Sequence, residues 1–352
     1  MSNIDLFEKI EFGQKFEYAS FKDKEEIGKG RFGVMYKAYS KDINQIVALK
    51  TLYYYDDENS LSDLLKKVKY TIKHDNIIKF LGISQDSENK TYIVLQYANG
   101  GELRCYLNDH FPKLDWPTKI RMAKEISSGI NCLHDANVAH RDLHDKNILV
   151  HDGRMIITDF GLSKSLDNST KSVTSKVYGI WEYADPQYLK SPFTYKRNKF
   201  SDIYSLGVLF WELSSGVPPF RALKTVQIIK GDREIPIEGT PIDFKNIYEA
   251  AWNGEPNSRS DIKEICKKLE LMQLEPVYKD LFKGLRMEYA SFENKTEIGE
   301  GSFGVMHKAY SKDKKQIVAL KTLSDYDENS LCNLVRKVCI IFAAVILSMP
   351  QS

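Results

Sequence analysis

His140-Arg141-Asp142-Leu143-His144-Asp145-Lys146-Asn147, then Ile148-Leu149-Val150, a turn at Asp152-Gly153, Met155-Ile156-Ile157-Thr158 and Asp159-Phe160-Gly161, is the stretch on which the reading of the chain turns. Two short β-rich runs joined by a glycine turn predict a hairpin. The hairpin gathers Asp142, Asn147 and Asp159 at one mouth. An acid, an amide and a second acid so placed suit one kind of chemistry. One carboxylate orients and deprotonates a hydroxyl, while the amide and the other carboxylate offer hard oxygen ligands to Mg2+. An isolated Asp-Phe-Gly is usually only a loop, so the weight rests on what precedes it.

Upstream, a strand at Glu26-Ile27 opens into Gly28-Lys29-Gly30-Arg31-Phe32-Gly33-Val34-Met35. Glycines at the first, third and sixth places let a hairpin lie flat over phosphates and present backbone N–H groups to them. Dinucleotide-binding folds share this pattern but need a helix directly after it. Here a second strand (Tyr36 to Tyr39), a polar turn and a third strand, Ile46-Val47-Ala48-Leu49-Lys50, follow instead.

In this order the glycine loop, the Val-Ala-Leu-Lys strand, the His-Arg-Asp loop and Asp-Phe-Gly resemble those of eukaryotic protein kinases. The resemblance implies an α+β, two-lobed protein-kinase-like fold. A small antiparallel sheet with one helix would span 18–98, and a mainly helical lobe 99–275. It implies Asp142 as the base toward a substrate hydroxyl, Lys50 on the α- and β-phosphates of ATP, and Asn147 and Asp159 as Mg2+ ligands. The nucleotide would lie against Ile27, Gly28, Gly30, Gly33, Met35, Ala48, Lys50 and Leu149. Leu95 would be the gatekeeper, the backbones of Gln96 and Ala98 would bond adenine, and Glu102 would reach ribose. His140 and Phe160 read as packing residues, and Asp202 as the buried acid that holds the catalytic loop's backbone.

Departures from the family pattern are informative. A helix with Leu61, Leu64, Leu65, Val68 and Ile72 on one face should supply a Glu to Lys50, but Lys67 stands where it aligns; Asp63 and Glu58 are nearby acids. His144 occupies the place where many Ser/Thr kinases carry a Lys against the γ-phosphate, and Ile180 the place of a Thr. Asp185-Pro186-Gln187 replaces Ala-Pro-Glu, whose Glu pairs with a buried Arg matched here by Arg259. With Gln187 that pair shrinks to a hydrogen bond, which predicts a softer lower lobe. The polar segment 162–182 offers Ser172, Thr174, Ser175 and Tyr178 as candidate phosphosites, with Arg141 as the receiving cation. Trp211-Glu212-Leu213 and His74-x-Asn76-Ile77 are similar to the tyrosine-kinase-like group, which implies transfer to Ser/Thr rather than Tyr. The rival is a pseudokinase, a scaffold that keeps the fold without turnover.

Residues 288–321 repeat residues 17–50, with twenty-six of thirty-four positions identical. Gly299-Glu300-Gly301-Ser302-Phe303-Gly304 repeats the glycine loop and Lys321 matches Lys50, but no second His-Arg-Asp or Asp-Phe-Gly follows. The chain therefore reads as a leader (1–17), two kinase lobes, a linker (276–287), a truncated second copy of the small lobe (288–338) and an apolar tail (339–352). Three strands and part of a helix cannot cover their own apolar face, so the copy is expected to be weakly stable alone.

Fifty basic against forty-eight acidic residues leave no strongly basic surface for nucleic acid. Five scattered cysteines without a Cys-x-x-Cys pair imply reduced thiols in a cytoplasmic or nuclear compartment. The first fifteen residues carry Asp5, Glu8 and Glu11 and no apolar core of a signal peptide. The apolar run from Val338 to Met349 is shorter than the roughly 20 residues a membrane helix needs. Neither a membrane nor an oligomeric state is indicated.

Overall fold

The computed structural model describes residues 14–30, 33–51, 73–160, 180–272, 292–301, 304–312 and 316–322. The chain divides into two compact units, 1–274 and 275–352.

In the first unit, six strands form one sheet: β1 (Gln14–Glu17), β2 (Phe21–Gly30), β3 (Gly33–Ser40), β4 (Gln45–Thr51), β5 (Phe80–Gln85) and β6 (Thr91–Gln96), in the order β1-β5-β6-β4-β3-β2. All pairings are antiparallel except β1 with β5, which is parallel. The leader expected over 1–17 is thus corrected at its end. Residues 14–17 are an edge strand whose Phe16 is buried with Phe21, Val47 and Val94. Strand β5 begins only at Phe80. His74 to Lys79 runs as a connection whose Ile77 bridges to Ile157. The helix expected over Leu61–Ile72, with Glu58, Asp63 and Lys67, lies outside the described residues, as do the phosphosites Ser172, Thr174, Ser175 and Tyr178.

The larger lobe is built from helices α1 (Leu103–His110), α2 (Trp116–Asp135), α3 (Pro186–Lys190), α4 (Lys199–Ser215), α5 (Thr225–Lys230), α6 (Ile242–Ala251) and α7 (Ile262–Leu271). In α2 the apolar residues recur on one face, and Ile120, Ala123, Ile126, Ile130 and Leu133 are all buried. Asp115 caps it by accepting from Thr118 N–H, and proline stands in its first turn, where no N–H is needed. Helix α4 is apolar nearly all round and buried from Ser201 to Ser214, so it forms the axis of the lobe. Its Gly207 lets α6 approach closely, since a Cβ there would lie 2.8 Å from the Trp252 nitrogen. Its end is set by Gly216 at φ 74°, against the ring of Phe111.

Between the lobes lies the expected hairpin, β7 (Ile148–His151) with β8 (Arg154–Ile157). It is tied to the connection before β5 by Ile78 N–H on the Ile157 carbonyl and Ile157 N–H on the Asn76 carbonyl, both 2.9 Å.

The second unit holds β9 (Phe292–Gly301), β10 (Gly304–Ser311) and β11 (Gln316–Thr322), in the order β11-β10-β9. Gly304 faces Gly301 and Met306 faces Lys321, as Gly33 faces Gly30 and Met35 faces Lys50 in the first unit. Even the local kink recurs: Asp23 has φ 51° and its counterpart Asn294 φ 53°, both residue types that tolerate the left-handed region.

Candidate active site

The site is assembled by short elements whose backbone bonds are closed by buried side chains. Asp202, in the first turn of α4, accepts from the His140 N–H at 2.8 Å, the Arg141 N–H at 2.7 Å and His134 Nε2 at 2.8 Å. Arg141 sits at φ 71°, a conformation costly for a side chain with a Cβ. The Asp202 carboxylate compensates by capturing both successive N–H groups. The role read for Asp202 as the loop's holder matches this placement.

His140 is fully buried. Its Nε2 lies 2.9 Å from the Thr158 carbonyl, which can only accept, so the proton is on Nε2. Nδ1 is then free to accept from Asp142 N–H at 3.3 Å. Burial holds this imidazole below its ordinary range despite the carboxylates of Asp202 and Asp142. His140 therefore works as a neutral spacer between the catalytic loop and β8.

Lys50 lies on β4 opposite Met35 and Ile93, and its ammonium reaches across to ion-pair with Asp159. The chain positions 109 residues apart thus meet in the cleft. Asp159 is held at φ 62°, just before Phe160, which packs in the large core. Asn147 donates from its side chain to the Asp142 carbonyl at 2.7 Å, which turns its own oxygen the other way. That oxygen and the Asp159 carboxylate are hard donors. They fit Mg2+, a hard cation that takes oxygen ligands and rarely an all-protein cage, and would be the residues to hold it. Among the described residues no group of three or more His, Cys, Asp or Glu side chains is arranged to hold a metal ion by itself.

Asp142 itself is mostly buried, with His144 Nε2 at 3.8 Å and Arg197 Nη1 at 3.7 Å. Burial pushes its carboxyl up, but the neighbouring imidazole of His144 and guanidinium of Arg197 outweigh this and hold it below the ordinary carboxylate value. His144 is turned toward Asp142 and against the ring of Tyr183, so its place in the fold is beside the acid.

Around the expected nucleotide position, Ala48 and Ala98 are buried, Met35, Gln96 and Leu149 half-buried, and Ile27 and Gly28 exposed. Gly30 and Gly33 pair across the tip of the glycine hairpin. Gln96 already donates its N–H to the Lys79 carbonyl at 2.9 Å, so any backbone bond from it to a base must use its carbonyl. Glu102 precedes α1 and bridges to Leu149, and burial raises its carboxyl.

Two partnerships lie outside the sequence reading, Asp185 with Arg259 and Arg197 with Asp142. Arg259 is not left to Gln187: it makes a paired contact with Asp185 at 2.8 and 2.9 Å, both side chains fully buried. Gln187 instead donates to the Gly254 carbonyl at 3.1 Å. The expected softening of the lower lobe is therefore corrected, because the acid has moved two positions along the chain. Burial pushes Asp185 up, but Arg259 outweighs it and keeps the carboxylate ionised. The signal was available: an acid replaces alanine where glutamine replaces the acid. Arg197 makes the second, and its side chain is buried in the loop between α3 and α4. Nothing in Tyr195-Lys196-Arg197-Asn198 distinguishes it from a solvated turn.

Comparison with known proteins agrees with this arrangement. The profile described as protein tyrosine and serine/threonine kinase matches residues 21–269. A probable serine/threonine-protein kinase, drkC, of Dictyostelium discoideum is 33% identical over 263 residues, 70% of this chain and 34% of the relative. A mitogen-activated protein kinase kinase kinase of Drosophila melanogaster is 30% identical over 278 residues, covering 73% of this chain and 23% of its own. The tyrosine-protein kinase Abl of the same fly is 29% identical over 261 residues, 71% and 16% of the two chains. The chain thus spans about a third or less of these relatives' length. Among the described residues no helix is long and apolar enough to cross a membrane. With the profile running through both lobes and every element of the cleft, this chain belongs to the protein tyrosine and serine/threonine kinase family.

Proposed function

We propose that residues 18–275 transfer the γ-phosphoryl group of ATP to Ser or Thr hydroxyls of a protein substrate, with Asp142 as the base. The observation that carries this reading is the cleft itself: Lys50 meets Asp159 across the lobes, with Asp142 on the catalytic loop beside His144 and Arg197. In this reading the acceptor oxygen bonds to phosphorus as the bond to the β–γ bridging oxygen breaks, ADP leaves, and the hydroxyl proton passes to Asp142. Lys50 grips the nucleotide's phosphates, and the hydrophobic slot of Ala48, Met35 and Leu149 takes the base. Asn147 and Asp159 would hold Mg2+, which supplies positive charge to the phosphate oxygens when bound.

A scaffold without turnover is the second reading. One of its supports, the Gln187 replacement, is offset by the Asp185–Arg259 pair. Ser/Thr preference is supported by the Dictyostelium relative named for that class, alongside a tyrosine-specific one of similar identity. We read residues 288–338 as a truncated duplicate of the small lobe without a working site, and a cytoplasmic setting from the free thiols of Cys105, Cys132 and Cys266.

The test is incubation of the full chain with Mg2+ and labelled ATP on casein, followed by phosphoamino-acid separation. Phosphoserine or phosphothreonine that disappears in Asp142→Asn supports the enzyme. Nucleotide binding with no transfer replaces it by the scaffold, and phosphotyrosine alone overturns the Ser/Thr assignment.

A further inference from the structure

The catalytic loop lacks the lysine that many Ser/Thr kinases place beside the transferring phosphate, and His144 stands there instead. A cation nevertheless reaches this spot from elsewhere in the chain. Arg197 comes from the loop between α3 and α4, and its guanidinium stands 4.7 Å from the centre of the Tyr188 ring. One of its terminal nitrogens lies 3.7 Å from Asp142 Oδ1, and with Asp142, His144, Ile180 and Tyr183 it lines a single small cavity.

Two features of this placement matter. First, 3.7 Å is within ion-pair range but beyond the 2.7–3.2 Å of an N–H···O hydrogen bond. Arg197 therefore lends Asp142 its charge without occupying the lone pairs a hydroxyl proton must reach. Second, a planar fork stacked on an aromatic ring is already ordered, so little entropy is lost when it grips an oxygen. Guanidinium donors match phosphoryl oxygens in geometry as well as charge.

We propose that Arg197 is the acceptor-side cation of the reaction: it contacts the equatorial oxygens of the phosphoryl group as that group moves from ATP to the hydroxyl beside Asp142. Arg197 itself makes and breaks no covalent bond. Phosphorus exchanges its bond to the bridging oxygen of ATP for one to the acceptor, the proton goes to Asp142, and Arg197 offsets the charge between them. The proposal rests on the kinase reading above. The bland alternative is that Arg197 merely neutralises a buried carboxylate, a structural role that would show in stability rather than in turnover.

Steady-state phosphorylation of casein by the full chain, with R197M and R197K beside wild type, separates these. R197M should lower kcat about 100-fold, in the range seen on removing one preorganised transition-state donor. The KM for ATP, the Kd for a fluorescent ADP analogue and the Tm should stay at wild-type values, and R197K should recover at least a tenth of the activity. Should R197M melt early, R197Q, which keeps a planar head on Tyr188, takes the same measurements. Activity of R197M or R197Q within threefold of wild type overturns the proposal while leaving the kinase reading intact. Early melting of both variants also overturns it, in favour of the structural role. A wild-type chain that transfers no phosphate removes both.

Discussion

At the scale of single residues, the molecule depends on carboxylates whose partners are dictated by burial. Asp185 and Arg259 share a site with no solvent, so either left alone becomes an uncompensated charge. Asp185→Ala should cost about 3–5 kcal/mol, read as a fall in the urea midpoint at unchanged slope. Gln187→Ala, which loses hydrogen bonds to the Gly254 carbonyl and the Glu255 carboxylate, should cost about 1 kcal/mol. A second prediction concerns His140. Its folded pKa is depressed, so below about pH 6.5 the unfolded chain binds a proton that the folded one resists. Stability from this group is complete above that pH and declines as pH falls, by at most about 1.4 kcal/mol per unit. Thermal melts from pH 7.5 to 5.5 should show that slope, and His140→Gln, which keeps a donor and an acceptor, should flatten it.

At the scale of elements, legibility followed periodicity and turn chemistry. The hairpin β7–β8, the glycine hairpin and helix α2 were readable because each carries its own period and its own stop signal. Strand β1 was not, since four residues with one buried Phe16 give no period to detect, and its partner lies in β5 far along the chain. The reach of Lys50 to Asp159 was readable only through resemblance, because it depends on how two lobes close and not on local sequence. Arg197 and Asp185 were missed for the same reason: their partners come from other elements. The helix contact at Gly207 supplies a third prediction. A Cβ would come within 3.0 Å of Ala251 Cβ and the Tyr248 carbonyl, all held in the packed core. Gly207→Ala should therefore destabilise the lobe by about 1–3 kcal/mol through overpacking, despite alanine's better helix propensity. A Tm equal to or above wild type would show that α4 and α6 separate more easily than their packing indicates.

At the scale of the whole molecule, the first unit carries the Lys50–Asp159 pair, and the second, among the described residues, holds the three strands β9 to β11. Lys50→Met should abolish phosphoryl transfer, while Lys321→Met should leave it within twofold of wild type, both measured on the full chain with casein. Equal losses from the two substitutions would assign the second unit a part in catalysis. The matching pairings of β2–β4 and β9–β11 carry a further consequence. A strand released from denaturant meets two neighbours with the same edge, the same kink and nearly the same side chains, one from each copy. Near-duplicate segments compete for partners as the chain collapses, and hybrid sheets trap it. Recovery of native protein on dilution from urea should accordingly be slower and less complete for the 352-residue chain than for one ending at residue 274.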